Sequence, residues 1–89
     1  MQLGFNKNIT NEGIKYLTNL TYLDWNENIT DEVFKNLKYL TNLFLCNNKH
    51  ITKEGIKYLN NLLILGLGLN KNITYVEIKN LNNRINISN

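Results

Sequence analysis

The chain has no proline, and it has one cysteine, one histidine, one tryptophan and a single serine, Ser88. A lone Cys46 cannot form an internal disulfide, which fits a reducing compartment. With Cys, His and Ser in single copies, no nucleophile sits beside a base that an acid orients, so no catalytic residue is expected. Cys46 and His50 lie four residues apart, but two ligands without a second pair do not make a zinc site. No metal or cofactor is therefore expected. The Gly66-Leu67-Gly68 pair falls inside a strand-like run and leads to no phosphate-loop helix. The longest apolar stretch, 62–69, is far too short to span a bilayer. The opening Met1-Gln2-Leu3-Gly4-Phe5 has no basic region followed by a long apolar run, so no signal peptide is read and a cytoplasmic location is expected.

What is present is mostly asparagine and aliphatic residues. Asparagine makes up about a fifth of the chain, a bias that by itself would suggest disorder. The regular spacing of Leu and Ile argues against disorder. Hydrophobic residues form 43% of the 89 positions, enough for one folded domain over residues 1–89. The net charge of +3 is mild and does not by itself point to nucleic acid. Asn-x-Thr/Ser patterns at Asn8, Asn19, Asn28, Asn72 and Asn86 are what this composition produces by itself.

The spacing is a repeat. Ile-Thr recurs at Ile9-Thr10, Ile29-Thr30, Ile51-Thr52 and Ile73-Thr74, at intervals of 20, 22 and 22 residues. An apolar-Lys-x-Leu unit follows each time, from Ile14, Phe34, Ile56 and Ile78. Leu20, Leu40 and Leu62 come next, then Leu23, Leu43 and Leu65. Agreement in every register means one structural unit repeated about four times, starting near 3, 23, 43 and 65. Each unit reads as strand, turn and helix. Strands centre on Leu3-Gly4-Phe5, Leu23-Asp24-Trp25, Leu43-Phe44-Leu45 and Leu65-Gly66-Leu67, where apolar residues alternate with others.

Helices are expected after each Ile-Thr pair, with Thr as the N-cap. Glu12, Glu32 and Glu54 then fall in the first turn, where the helix dipole favours them. Thr74 and Glu77 form a capping-box pattern instead. Lys15, Lys35 and Lys57 follow those glutamates by three residues on the same helical face, and Lys79 continues the stripe.

Leu40-x-x-Leu43-x-Leu45-x-x-Asn48 and Leu62-x-x-Leu65-x-Leu67-x-x-Asn70 resemble the leucine-rich repeat consensus. The run from Asn26 to Leu37 (Asn-Glu-Asn-Ile-Thr-Asp-Glu-Val-Phe-Lys-Asn-Leu) is similar to the helical half of ribonuclease-inhibitor-like and F-box-associated repeats. The resemblance implies an α/β solenoid, with short parallel strands on a concave side and helices on a convex side. It implies that Asn6, Asn26, Asn48 and Asn70 form a ladder satisfying buried backbone groups. It also implies a protein-binding role, of substrate-adaptor or effector type, with no cofactor.

On a stacked-strand solenoid the residues between the inward leucines face a partner. Those are Tyr22, Asp24 and Asn26, then Asn42, Phe44 and Cys46, then Ile64, Gly66 and Gly68, with Gln2 and Gly4 before them. Tyr and Phe are the side chains that anchor interfaces. Gly66 and Gly68 are read as flat backbone open to a partner's bulky side chain. Trp25 is placed in the core, in the position of Leu45.

Two other roles fit the same pattern. One is a structural fragment of a longer solenoid, without its own ligand. The other is weak nucleic-acid binding by the lysine stripe, which its glutamate neighbours disfavour. The strand at 3–5 has no preceding partner, so self-association or further repeats are expected at that edge. At the other end Arg84 stands where Leu20, Leu40 and Leu62 stand, and the pattern is read as decaying there.

Overall fold

A computed structural model describes residues 2–3, 10–24, 28–45, 48–68, 70 and 72–88 of the chain. It is a small α/β structure built on a parallel sheet. The strands are β1 (Gln2–Leu3), β2 (Tyr22–Leu23), β3 (Asn42–Phe44), β4 (Ile64–Gly66) and β5 (Asn86–Ser88). They lie in sequence order, each pairing with the next in parallel. Leu3, Leu23, Leu43, Leu65 and Ile87 stand in one line across the sheet. The repeat register expected from the leucines is therefore the pairing register of the strands. Hydrogen bonding runs one residue further than the strands, since Leu45 N–H donates to the Gly66 carbonyl and Leu67 N–H to that of Ser88.

β5 corrects the reading of a decaying pattern after four units. Arg84 is indeed exposed, but the next residue, Ile85, turns inward and is 2% exposed. Ile87 packs partly buried against the same core. One residue of offset restores the apolar contact that a search at fixed spacing misses.

Between the strands lie α1 (Asn11–Ile14), a 3₁₀ helix (Asp31–Asn36), α2 (Lys53–Ile56) and α3 (Tyr75–Leu81). All four begin directly after the Thr of an Ile-Thr pair. The second is 3₁₀ rather than α. There Val33 is buried at the place where α1 and α2 carry Gly13 and Gly55. The core fills the space between strands and helices. Leu23, Leu43, Leu45 and Leu65 reach it from the strand side, and Ile14, Phe34, Ile56 and Ile78 from the helix side.

Two sets of side-chain hydrogen bonds tie unit to unit. Asn48 Nδ2 donates to the Ile29 carbonyl at 2.7 Å, and its Oδ1 accepts from the N–H groups of His50 and Ile51. Asn70 repeats the pattern, donating to the Asn48 carbonyl and accepting from Asn72 N–H. This is the expected ladder; Asn6 and Asn26 lie outside the described residues. Asn72 also donates to the Lys49 carbonyl.

The second set was not expected. Asn11 Oδ1 accepts from Thr30 N–H, and Asp31 accepts from both the N–H and the hydroxyl of Thr52. In the first two units the residue after the cap Thr thus serves the cap Thr of the next unit. Thr30 uses its own hydroxyl to accept from Asn11 Nδ2, and it makes no side-chain cap within its helix. In the third unit that residue is Lys53, which has no acceptor to offer. The fourth unit compensates: Glu77 Oε1 accepts from Thr74 N–H while Thr74 Oγ1 accepts from Glu77 N–H. Lys53 pairs with the other carboxylate oxygen of Glu77 at 3.4 Å.

That cap makes a pH prediction. The Thr74 backbone N–H holds the Glu77 carboxyl below the usual carboxylate range, with help from the Thr74 hydroxyl and Lys53. A group whose pKa is lowered on folding stabilises the fold above its unfolded pKa, near 4.3. That contribution is lost as pH falls through the lower folded value. Melting temperatures from about pH 6 down to about pH 3 should fall further for the wild type than for Glu77→Gln, which keeps an acceptor but does not titrate. Equal slopes would remove Glu77 from the acid response.

Two glycines should respond oppositely to alanine. A Cβ at Gly55 would overlap the Asp31 side chain, carboxylate included. Gly55→Ala must therefore move Asp31 off Thr52, at a cost of about 1–3 kcal/mol. A Cβ at Gly13 meets only Thr10 Oγ1, at an ordinary 3.9 Å. Gly13→Ala should gain about 0.5–1 kcal/mol from helix propensity. Denaturant midpoints of the two variants check both signs.

Candidate functional surface

Alternation along the strands sorts the candidate partner-facing residues from the core. Leu23, Leu43 and Leu65 are buried, while Tyr22, Asp24, Asn42, Phe44 and Ile64 beside them are half-buried. The register sets Tyr22, Asn42 and Ile64 in one row. Asp24 follows Leu23 as Phe44 follows Leu43, so these two also share a row.

Tyr22 and Phe44 meet diagonally across β2 and β3. Their ring centroids are 5.4 Å apart and the planes are inclined at 44°. This spacing lies within the range of favourable aromatic pairs. Two aromatic rings in contact on the side of the sheet away from the core give that surface an apolar feature. Asn26 and Cys46 lie outside the described residues, as do Gly4 and Trp25.

Two expectations about this surface need correction. Gly66 is not open backbone. It is buried, and a Cβ there would come within 2.5 Å of Phe44 Cδ1. The register pairs Phe44 with Gly66, so the missing side chain seats this chain's own ring rather than a partner's. Phe44 is accordingly a packed residue, and truncating it costs stability as well as surface. Gly68 is not in the strand either. It lies in the turn after β4 with φ of 58°, a left-handed conformation that glycine adopts without strain.

The lysine stripe is largely engaged within the chain. Lys15 pairs with Glu12 and Lys57 with Glu54, each at 3.0 Å. The hydrogen bond and charge of Glu12 raise the Lys15 pKa. Lys79 donates to the carbonyls of Ile85, at 2.8 Å, and Asn83, at 3.4 Å. Three of the four cations thus have acceptors close by.

A further feature lies at the N-terminal ends of the strands. The loops before β2, β3, β4 and β5 enclose an open groove of about 630 Å³. Asn19, Thr21, Tyr39, Thr41, Asn60, Asn61, Leu62, Leu63 and Arg84 line it. Tyr39 and Leu63 are each 57% exposed, large apolar side chains on a loop surface. Both fall between the leucines that carry the repeat pattern, at positions to which that pattern assigns no role.

Among the described residues no three His, Cys, Asp or Glu side chains cluster as a metal site, and no helix is long and apolar enough to cross a membrane. No protein-family model matches the chain, and no curated protein matches it.

Proposed function

We propose that the chain is a short leucine-rich repeat solenoid that binds another protein through the outer face of its sheet, without catalysis or a cofactor. The observation that carries this reading is the Tyr22–Phe44 pair. Its rings touch each other on the side of the sheet away from the core, with Asp24, Asn42 and Ile64 around them. Rigid aromatics on a regular scaffold supply contact area at low entropic cost. The solenoid reading is supported by the sequential parallel order of the strands, one helix per crossover, and the asparagine ladder. The ion pairs of Lys15 and Lys57 favour this face over the lysine stripe as the binding surface.

The test is recovery of a partner from the source cell with the wild-type chain and with variants. Tyr22→Ala should weaken binding of that partner by more than about 1 kcal/mol, the level that marks an anchor. Phe44→Leu keeps most of the packing over Gly66 and should weaken it as well. Lys35→Glu together with Lys57→Glu should leave it intact. Loss of binding in the lysine variant alone would transfer the function to the other face.

A further inference from the structure

We infer that the groove at the N-terminal ends of the strands is a second binding site, shaped for an extended acidic peptide segment with an apolar residue at its centre. It does not use the Tyr22–Phe44 pair and stands whether or not that pair binds a partner.

The shape argues for an extended occupant. Lining residues come from the loops before four successive strands, from Asn19 to Arg84. Strands about 4.8 Å apart make this a trough of about 14 Å, the length of four or five extended residues. The floor is already tied together. The Thr21 carbonyl accepts from the N–H groups of Thr41 and Asn42, at 2.9 and 3.1 Å. The Thr41 carbonyl does the same for Leu63 and Ile64, and the Leu63 carbonyl accepts from Asn86. A preformed site loses little entropy when it binds.

The chemistry argues for the occupant's composition. With these carbonyls engaged, side chains do the recognition. Tyr39 and Leu63 present exposed apolar surface in the middle of the trough. Arg84 stands at one end, exposed, and no carboxylate is among the lining residues. The Asn19 amide offers donors to a passing backbone, while the Asn61 amide already gives one hydrogen to the Lys38 carbonyl at 3.0 Å and has its second to offer. A single cation, no anion and a net charge of +3 select against a basic segment and for an acidic one.

The probe is a blocked pentapeptide with leucine at its centre and two glutamates on each side, titrated into the whole, isotopically labelled chain. The comparison peptide carries lysines in place of the glutamates. Saturable shifts should appear at the amides of Thr41, Asn61 and Leu63 with the glutamate peptide only. Arg84→Gln should weaken binding up to about fivefold, the most that an exposed charge pair supplies. Leu63→Asp should abolish it, and the amide spectrum of that variant shows whether it is folded. Lys35→Gln, which removes the same charge elsewhere, should change nothing.

Equal binding of the lysine peptide, or equal weakening by Lys35→Gln, would reduce the effect to net charge and overturn the proposal. So would the absence of saturable shifts. Shifts centred on Tyr22 and Phe44 instead would overturn it while leaving the sheet-face reading in place.

Discussion

Replacing Asn48 with alanine should destabilise the chain by about 2–5 kcal/mol, since two buried backbone groups and one part-buried group lose a partner at once. Asn48 is 1% exposed, the only buried polar side chain among the described residues. Its amide nitrogen satisfies the Ile29 carbonyl, and its oxygen satisfies the N–H groups of His50 and Ile51. Alanine leaves all three without that partner. Ile29 and Ile51 are themselves fully buried, so water does not replace it. Aspartate at the same position is the sharper probe. Asn48→Asp keeps the two acceptor bonds but turns an oxygen toward the Ile29 carbonyl, so it should be destabilising at neutral pH and recover partly in acid. Urea midpoints at pH 7 and at about pH 4 separate the two contributions. An alanine variant as stable as the wild type would mean that the ladder is ornamental.

The second large effect lies in the core. Leu43 is fully buried in the central strand, in register with Leu23 on one side and Leu65 on the other. Leu43→Ala should cost about 2–5 kcal/mol, from lost transfer energy and the cavity left behind. Stability per residue in small structures is about 0.1 kcal/mol, or about 9 kcal/mol over 89 residues, so this loss removes a quarter to a half of the whole. Thermal denaturation followed by circular dichroism measures it. Leu63→Ala is the internal control: Leu63 is 57% exposed and should lose far less. Similar melting of the two variants would contradict the register.

Much of the architecture is readable from the sequence because it obeys one period. Leu23, Leu43 and Leu65 recur at the spacing of their strands, and the cap residues Thr10, Thr30, Thr52 and Thr74 recur with the helices. What escapes reading is whatever breaks the period or arises between units. Ile85 is displaced by one residue from the leucines it follows. The bond from Asp31 to Thr52 spans 21 residues and joins two side chains that local propensity treats separately. Its trace is visible afterwards: Asn11 and Asp31 follow their threonines, and Lys53 interrupts the series. Gly66 looked open because strand alternation describes one strand at a time, whereas its environment is set by Phe44 on the next. The groove is less legible still. Tyr39 and Leu63 share neither a column of the repeat nor a strand, and only the stacking of loops brings them to one trough.

The change of capping partner at Lys53 grades the helices by how much each takes with it on opening. If the 3₁₀ helix unwinds, Asp31 leaves and Thr52 loses the acceptor of its amide and hydroxyl, so the start of α2 is loosened too. Release of α1 likewise frees Thr30 from Asn11. Opening of α3 breaks a cap contained within α3 itself and one cross-unit ion pair, Lys53 with Glu77. The first three helices are therefore linked like dominoes, while the fourth has its own latch. Amide exchange should show this as correlated protection at Thr30 and Thr52 and an independent opening free energy at Thr74.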